Sequence, residues 1–321
     1  WNSRATLKFL KHNRPSIQPD NQTAATPTQD YYLSEATASD KVVALSDKFT
    51  AQANHMYIKL GPPGSDGTER GQEIQLLQAK DDFFSVLSDD NLSISADSME
   101  THFTRCSSGK GQFPSTIELE DNVQAIQQPP ASHTQSTLQC QEMLISLVES
   151  NNATASATDT YANSKISHLF ARGQVIGRYE PEEADPSNLS AHTLEWDLAT
   201  KTTTLKGGLA RVELEHPKDE QGKEEQEKDW LESAVIHIVQ KEPDDEDEAS
   251  YYLLSTPGPG KMRTSFAGSE KGADPAPVGL NWPGSMLFHG LANKASFTGT
   301  DDERVKGAIV HSPHRWSEIE A

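Results

Sequence analysis

Between Ile166 and Leu214 apolar and polar residues alternate with a period of two, in short runs separated by turn-forming residues. Leu169, Ala171 and Val175 fall in a first pair of strands, broken at Arg172-Gly173. Leu189 and Ala191, then Leu194 and Trp196, form the next run; Asp197 to Thr200 turns the chain, and Thr202 to Leu205 leads to Gly207-Gly208. A period of two bounded by Gly, Asp and Asn predicts half-buried antiparallel strands presenting one apolar face. The same pattern predicts a strand pair in Lys41 to Leu60 and strands in 209–214, 230–239 and 251–255. Ile74 to Leu87 reads as a further pair with Phe83 and Phe84 near its centre, a short helix being the alternative.

Between these runs the chain changes character. Residues 1–40 are rich in Asn, Gln, Thr, Pro and Ser and predict a loosely held lead-in or partial edge strand. Residues 41–150 form an N-terminal half, 151–164 (NNATASATDTYANS) a polar link, 165–310 a C-terminal half and 311–321 a tail. The segment 61–67 reads as a turn or loop. The charged stretches 217–229 and 242–248 predict exposed excursions between neighbouring strands; Glu and Lys would propagate a helix in 217–229, but no apolar stripe pins one down, and 264–277 reads as another loop. Pro257-Gly258-Pro259-Gly260 cannot continue a central strand and marks a corner or edge.

Composition narrows the classes. A formal net charge of −20 opposes binding to nucleic acid and electrostatic docking on anionic lipid. Leu, Ile, Val and Phe make up about a fifth of the residues, which predicts a thin β architecture with a modest core and large polar insertions. No apolar run is long enough to span a bilayer. The chain begins at Trp1 and is read as a processed piece, leaving room for a signal or membrane anchor outside it. The basic start from Arg4 to Arg14, with Leu7, Phe9 and Leu10, fits either a juxtamembrane remnant or a frayed terminus.

Candidate chemistry is sparse. Cys106 and Cys140 match no metal spacing, though an oxidising compartment would let them pair. His311 and His314 flank a proline in the tail; His192, His237 and His289 lie in strands, where a histidine more often satisfies a boundary position than a metal. The acidic runs lack calcium-loop spacing, and Gly207-Gly208 has no following Lys-Ser/Thr to bind phosphate. No Gly-x-Ser-x-Gly element is present. The sequons at Asn21, Asn91, Asn152 and Asn188 are of a kind that arises readily in a polar chain. No cofactor is called for.

Gly173-Gln174-Val175, Leu189-x-Ala191-x-x-Leu194-x-Trp196-Asp197, and Thr200 through Leu205 to Gly207 together resemble the repeat of the LptA/LptC/OstA family of periplasmic lipopolysaccharide-transport β-jellyrolls. Weaker copies occur at Leu92 to Met99, Asn122-Val123 and Leu138 to Met143, and at Ser285 to Ala292 with Ala295 to Gly299, so the resemblance spans about 85–300. It implies an all-β, antiparallel open β-jellyroll (β-taco): two facing sheets of repeated short strands, with long polar insertions. It further implies a non-enzymatic, periplasmic protein that holds the acyl chains of a lipopolysaccharide-like lipid in an apolar trough and joins other jellyrolls edge to edge. The trough-lining residues on this reading are Leu92, Ile94, Met99, Val123, Val175, Leu189, Leu194, Trp196, Leu205, Ile236, Ile238, Met286, Phe288 and Phe297. A structural or adhesive β-repeat protein with a closed core, or a carbohydrate-active β-sandwich using paired carboxylates, are the alternatives.

Overall fold

A computed structural model describes residues 4–13, 29–45, 49–62, 73–87, 92–107, 112–128, 134–149, 164–182, 186–215, 229–241, 251–266, 276–290, 294–312 and 315–320. Every regular element among them is a β-strand, and the strand pairings described below are all antiparallel. The chain divides into two compact units: 1–89 with 93–123 and 144–167, and 90–92 with 124–143 and 168–321. The expected link 151–164 apart from Ser164, most of the excursion 217–229, all of 242–248, the centre of 264–277, and His314 lie outside the described residues.

Unit one is a meander in sequence order. Strand β1 (Arg4–Asn13) pairs with β2 (Gln29–Leu45), β2 with β3 (Phe49–Leu60), and β3 with β4 (Ile74–Leu87). Within the lead-in expected over 1–40, residues 4–13 and 29–40 belong to paired antiparallel strands, in which polar residues are interspersed with Leu7, Phe9, Leu33, Ala36 and Ala38. Likewise 74–87 is one strand, not two. The next strands are β5 (Leu92–Arg105), β6 (Gln112–Gln127), β7 (Gln135–Glu149) and β8 (Ser164–Glu180).

The feature that organises the strands is a corner in their middle. Asp40-Lys41 in β2, Asp81-Asp82 in β4, Asp121-Asn122 in β6 and Gly173-Gln174 in β8 are consecutive pairs with positive φ, as is Gly207-Gly208 further on. Asp, Asn and Gly tolerate this left-handed region better than other residues, through small size or local side-chain hydrogen bonds. The ladder shifts register at these points. Ala38 pairs with Met56 and Val42 with Ala53, so four steps on β2 oppose three on β3. Such a bulge bends the strand and increases its twist.

The slip has a consequence for the faces. Two buried residues three apart on an unbroken strand would point to opposite sides. Here the corner turns both arms' apolar sets to the same side. Ala53 and Met56, Ala96 and Met99, and Cys140 and Met143 are buried pairs with this spacing. The break at Arg172-Gly173, expected to separate two strands, is a corner within the single strand β8.

Unit two continues with β9 (Ser187–Asp197), β10 (Thr202–Leu214) and β11 (Asp229–Lys241), paired in order. The expected turn after Asp197 is present, and its Oδ1 accepts from the amides of Ala199 and Thr200. At β11 the chain forks. Its C-terminal arm pairs with β12 (Tyr251–Thr256) and its N-terminal arm with β13 (Gly260–Phe266). Strand β13 pairs with β14 (Ala276–Trp282), and β12 with β15 (Met286–His289). Strand β15 pairs with β16 (Lys294–Phe297), β14 with β17 (Lys306–Ser312), and β17 with β18 (Arg315–Glu320). Most of the expected 311–321 tail is therefore strand. Beyond β11 each bent strand is split at the corner by a loop, Pro257-Gly258-Pro259 and then Pro283-Gly284-Ser285, as proline requires where a ladder breaks.

Candidate functional site: an apolar cavity between two arms

The two arms of unit two can be followed as rows of side chains in register. On one arm Leu189 pairs with Val212, Val212 with Leu231, Leu231 with Met262 and Met262 with Leu280. On the other, Leu169 pairs with Trp196, then follow Thr203, Ile238, Leu254, Phe288 and Ala295. Between them runs the corner, where Ala171, Leu194, Leu205 and Ile236 lie side by side and are buried.

Residues of both rows line one cavity of about 210 Å³. Val212, Leu231 and Met262 come from the first arm, and Leu254, Met286, Phe288 and Ala295 from the second. The cavity is lined from β10 to β16, and beyond β11 loops replace the tight left-handed corner. Trp282 clasps the arms there: its Nε1 donates to Thr256 Oγ1 at 3.1 Å and to the Gly258 carbonyl at 3.2 Å, and its ring lies 5.2 Å from that of Phe297. Ser233 Oγ, at the corner of β11, donates to the Pro259 carbonyl at 2.9 Å.

Apart from Asp229 and Arg263, which also line the cavity, the charged side chains of these strands stand on the outward rows. Arg211 Nη1 lies 2.6 Å from Glu232 Oε1, and Lys261 Nζ 2.8 Å from Oε2 of the same carboxylate. Both cations also approach the Trp230 ring, at 5.0 and 5.5 Å. Burial alone would raise the Glu232 carboxyl, but the hydrogen bonds and charges of Lys261 and Arg211 outweigh it and hold the group below its ordinary value. Arg178 bridges Glu180 and Glu215, and Glu195 lies between His168 and Lys206. These are surface and boundary networks.

Met286 and Phe288 were expected in a trough and line the cavity. Leu194, Leu205, Ile236 and Val175 are buried at the corner, while Leu189, Trp196 and Ile238 are half-buried on the adjoining rows. Phe297 is half-buried against Trp282. Ile94, Met99 and Val123 are buried in unit one, and Leu92, which opens β5, is half-buried. Sequence reasoning missed Val212, Leu231, Leu254 and Met262; the pattern Leu231-x-Ser233-x-x-Ile236-x-Ile238 repeats that of Leu189 to Trp196 and would have found the β11 member.

The candidate chemical residues play structural parts. His237 Nδ1 lies 3.1 Å from Thr204 Oγ1, His289 stacks on Tyr251, and His192 is exposed beside the Gly207 corner. Cys106 and Cys140 are free, buried thiols, the latter pushed up to about 11 by burial. Asn188 is tied to Arg178 and Glu215. Among the described residues no cluster of three or more metal-ligating side chains occurs. Comparison with known proteins finds no match among family models, curated proteins or solved structures.

Proposed function

We propose that the chain is an open β-jellyroll that binds and passes an acylated, lipopolysaccharide-like lipid in the periplasm, without catalysing a reaction. The observation that carries this reading is the cavity of unit two, lined from two facing arms almost wholly by aliphatic and aromatic side chains. Acyl chains need contiguous apolar cover and no directional chemistry; each 100 Å² removed from water contributes about 2.5 kcal/mol. The repeat in Gly173 to Gly207, which resembles that of the LptA/LptC/OstA family, supports the same reading. Strands β1 and β18 each have one pairing partner among the described residues, which suits edge-to-edge joining with other jellyrolls.

The test is a photo-crosslinking residue at Phe288, on the cavity wall, against the same residue at the neighbouring Leu287, which is exposed on the outward row. Mass spectrometry should find acyl lipid joined to the first and not to the second. Absence of lipid at both positions would favour the closed-core structural protein, and equal labelling would mean nonspecific adsorption.

A further inference from the structure

The cavity of unit two has a polar end and a closed end. Its polar wall residues lie together: Thr264 Oγ1 donates to Asp229 Oδ2 at 2.9 Å, and Arg263 precedes Thr264 on β13. Nearer the corner on the same two strands the wall turns apolar, with Leu231 of β11 paired to Met262 of β13. On the second arm Phe288 pairs with Leu254, and Met286 stands closest to the corner, opposite Thr256. An acyl chain in this cavity is therefore oriented, its methyl end toward Met286 and its polar head toward Asp229 and Thr264, because a head pushed to the apolar end would lose its hydrogen bonds.

The space behind Met286 is filled. Thr256, its partner on β12, is buried and accepts at Oγ1 from Trp282 Nε1 at 3.1 Å. Phe297, its partner on β16, has its ring 5.2 Å from that of Trp282. On the first arm the same indole packs on Gly260, where an added Cβ would strike it. Trp282 is 2% exposed and so is held by both arms at once. An indole fixed by a hydrogen bond and by packing on both sides makes a rigid stop, and the Met286 side chain lies in front of it.

The size of the compartment then becomes a chain length. A cavity of about 150 Å³ takes the six carbons of benzene, so 210 Å³ takes about eight. We infer that the cavity accepts one acyl chain at a time, burying about its last eight carbons, and that Met286 backed by Trp282 sets this limit. This rests on the trough reading above and adds to it the number of chains and the length held. Each methylene buried tightens binding about fourfold, and each one left outside adds little.

The test titrates the full chain with alkyl maltosides from hexyl to dodecyl, each below its micelle concentration, followed by ligand-observed NMR. The head is the same uncharged sugar throughout, so only the chain varies. Kd should fall about fourfold per added carbon up to about octyl, and by less than twofold per carbon beyond it. Met286→Ala removes Cγ, Sδ and Cε from the closed end and should move the break about three carbons longer. Ala295→Leu adds the same number of atoms to the wall at an exposed position and should move it about three carbons shorter; this variant serves should the first fail to fold. A Kd that keeps falling fourfold per carbon to dodecyl, or a break that a folded variant leaves in place, overturns the length limit and leaves the trough standing. Binding by none of the maltosides overturns the trough together with it.

Discussion

Replacing Gly173 by alanine tests the corner, on which the inward placement of both arms depends. Gly173 has a φ of +79°, and a Cβ built there would lie 2.7 Å from Gln141 Cβ on the neighbouring strand. An L-residue in the left-handed region costs about 1–2 kcal/mol. Reduced freedom of the unfolded chain returns about 0.4–1 kcal/mol. The overlap with Gln141 Cβ cannot be relieved by rotating a side chain, so it adds the roughly 1–3 kcal/mol typical of overpacking. The net expectation is a loss of about 2–4 kcal/mol. Gly208 is the matched control: its φ is +66° but a Cβ there meets nothing within 4 Å, so Gly208→Ala should cost about 1 kcal/mol or less. Urea unfolding followed by far-ultraviolet circular dichroism measures both. In a Gln141→Gly background the added cost of Gly173→Ala should fall to that of Gly208→Ala, because the struck atom is gone. Equal losses for the two glycines in the native background, or a loss at Gly173 indifferent to Gln141, would refute the argument from close approach.

Ile236→Ala should cost about 2–5 kcal/mol, since Ile236 is 0% exposed beside Leu205 at the corner, whereas Ile176→Ala, on the exposed outward face, should stay within about 0.5 kcal/mol; thermal melts of the two variants decide it. Glu232 has a folded pKa below its ordinary 4.5, so its contribution to stability is complete above that value and is lost as pH falls through the lowered one. Glu232→Gln should therefore be less stable than the native protein at neutral pH, with the gap closing only in acid; a gap independent of pH between 7 and 3 would show that Lys261 and Arg211 do not hold the carboxylate.

What could be read from the sequence, and what could not, follows from where period-two alternation holds. Leu189, Ala191, Leu194 and Trp196 were legible because each arm of β9 alternates cleanly, and the two-residue gap between Ala191 and Leu194 is the corner's slip written in the chain. The corner of β8 was mistaken for a turn between strands because glycine at positive φ serves both purposes. Asp81-Asp82 and Asp121-Asn122 gave no signal, since acidic residues in a strand read as solvated positions and the left-handed backbone that they adopt leaves no mark on composition. The pairing of β12 with β15 was out of reach for another reason: both strands are short, and the partner is set by which arm of β11 each extends rather than by any local pattern. Yet the slip links the legible and illegible parts. On a straight strand the Leu189–Ala191 and Leu194–Trp196 sets would face opposite ways, leaving two half-apolar faces and no cavity. With the corner they face the same way, so an apolar trough requires that the spacing Φ-x-small-x-x-Φ-x-Φ, where Φ is apolar, recur on alternate strands, while the strands between them carry a longer corner, Ala171 to Val175 on β8 and Leu205 to Ala210 on β10. It does recur, as Leu231-x-Ser233-x-x-Ile236-x-Ile238 on β11, whose Leu231 lines the cavity.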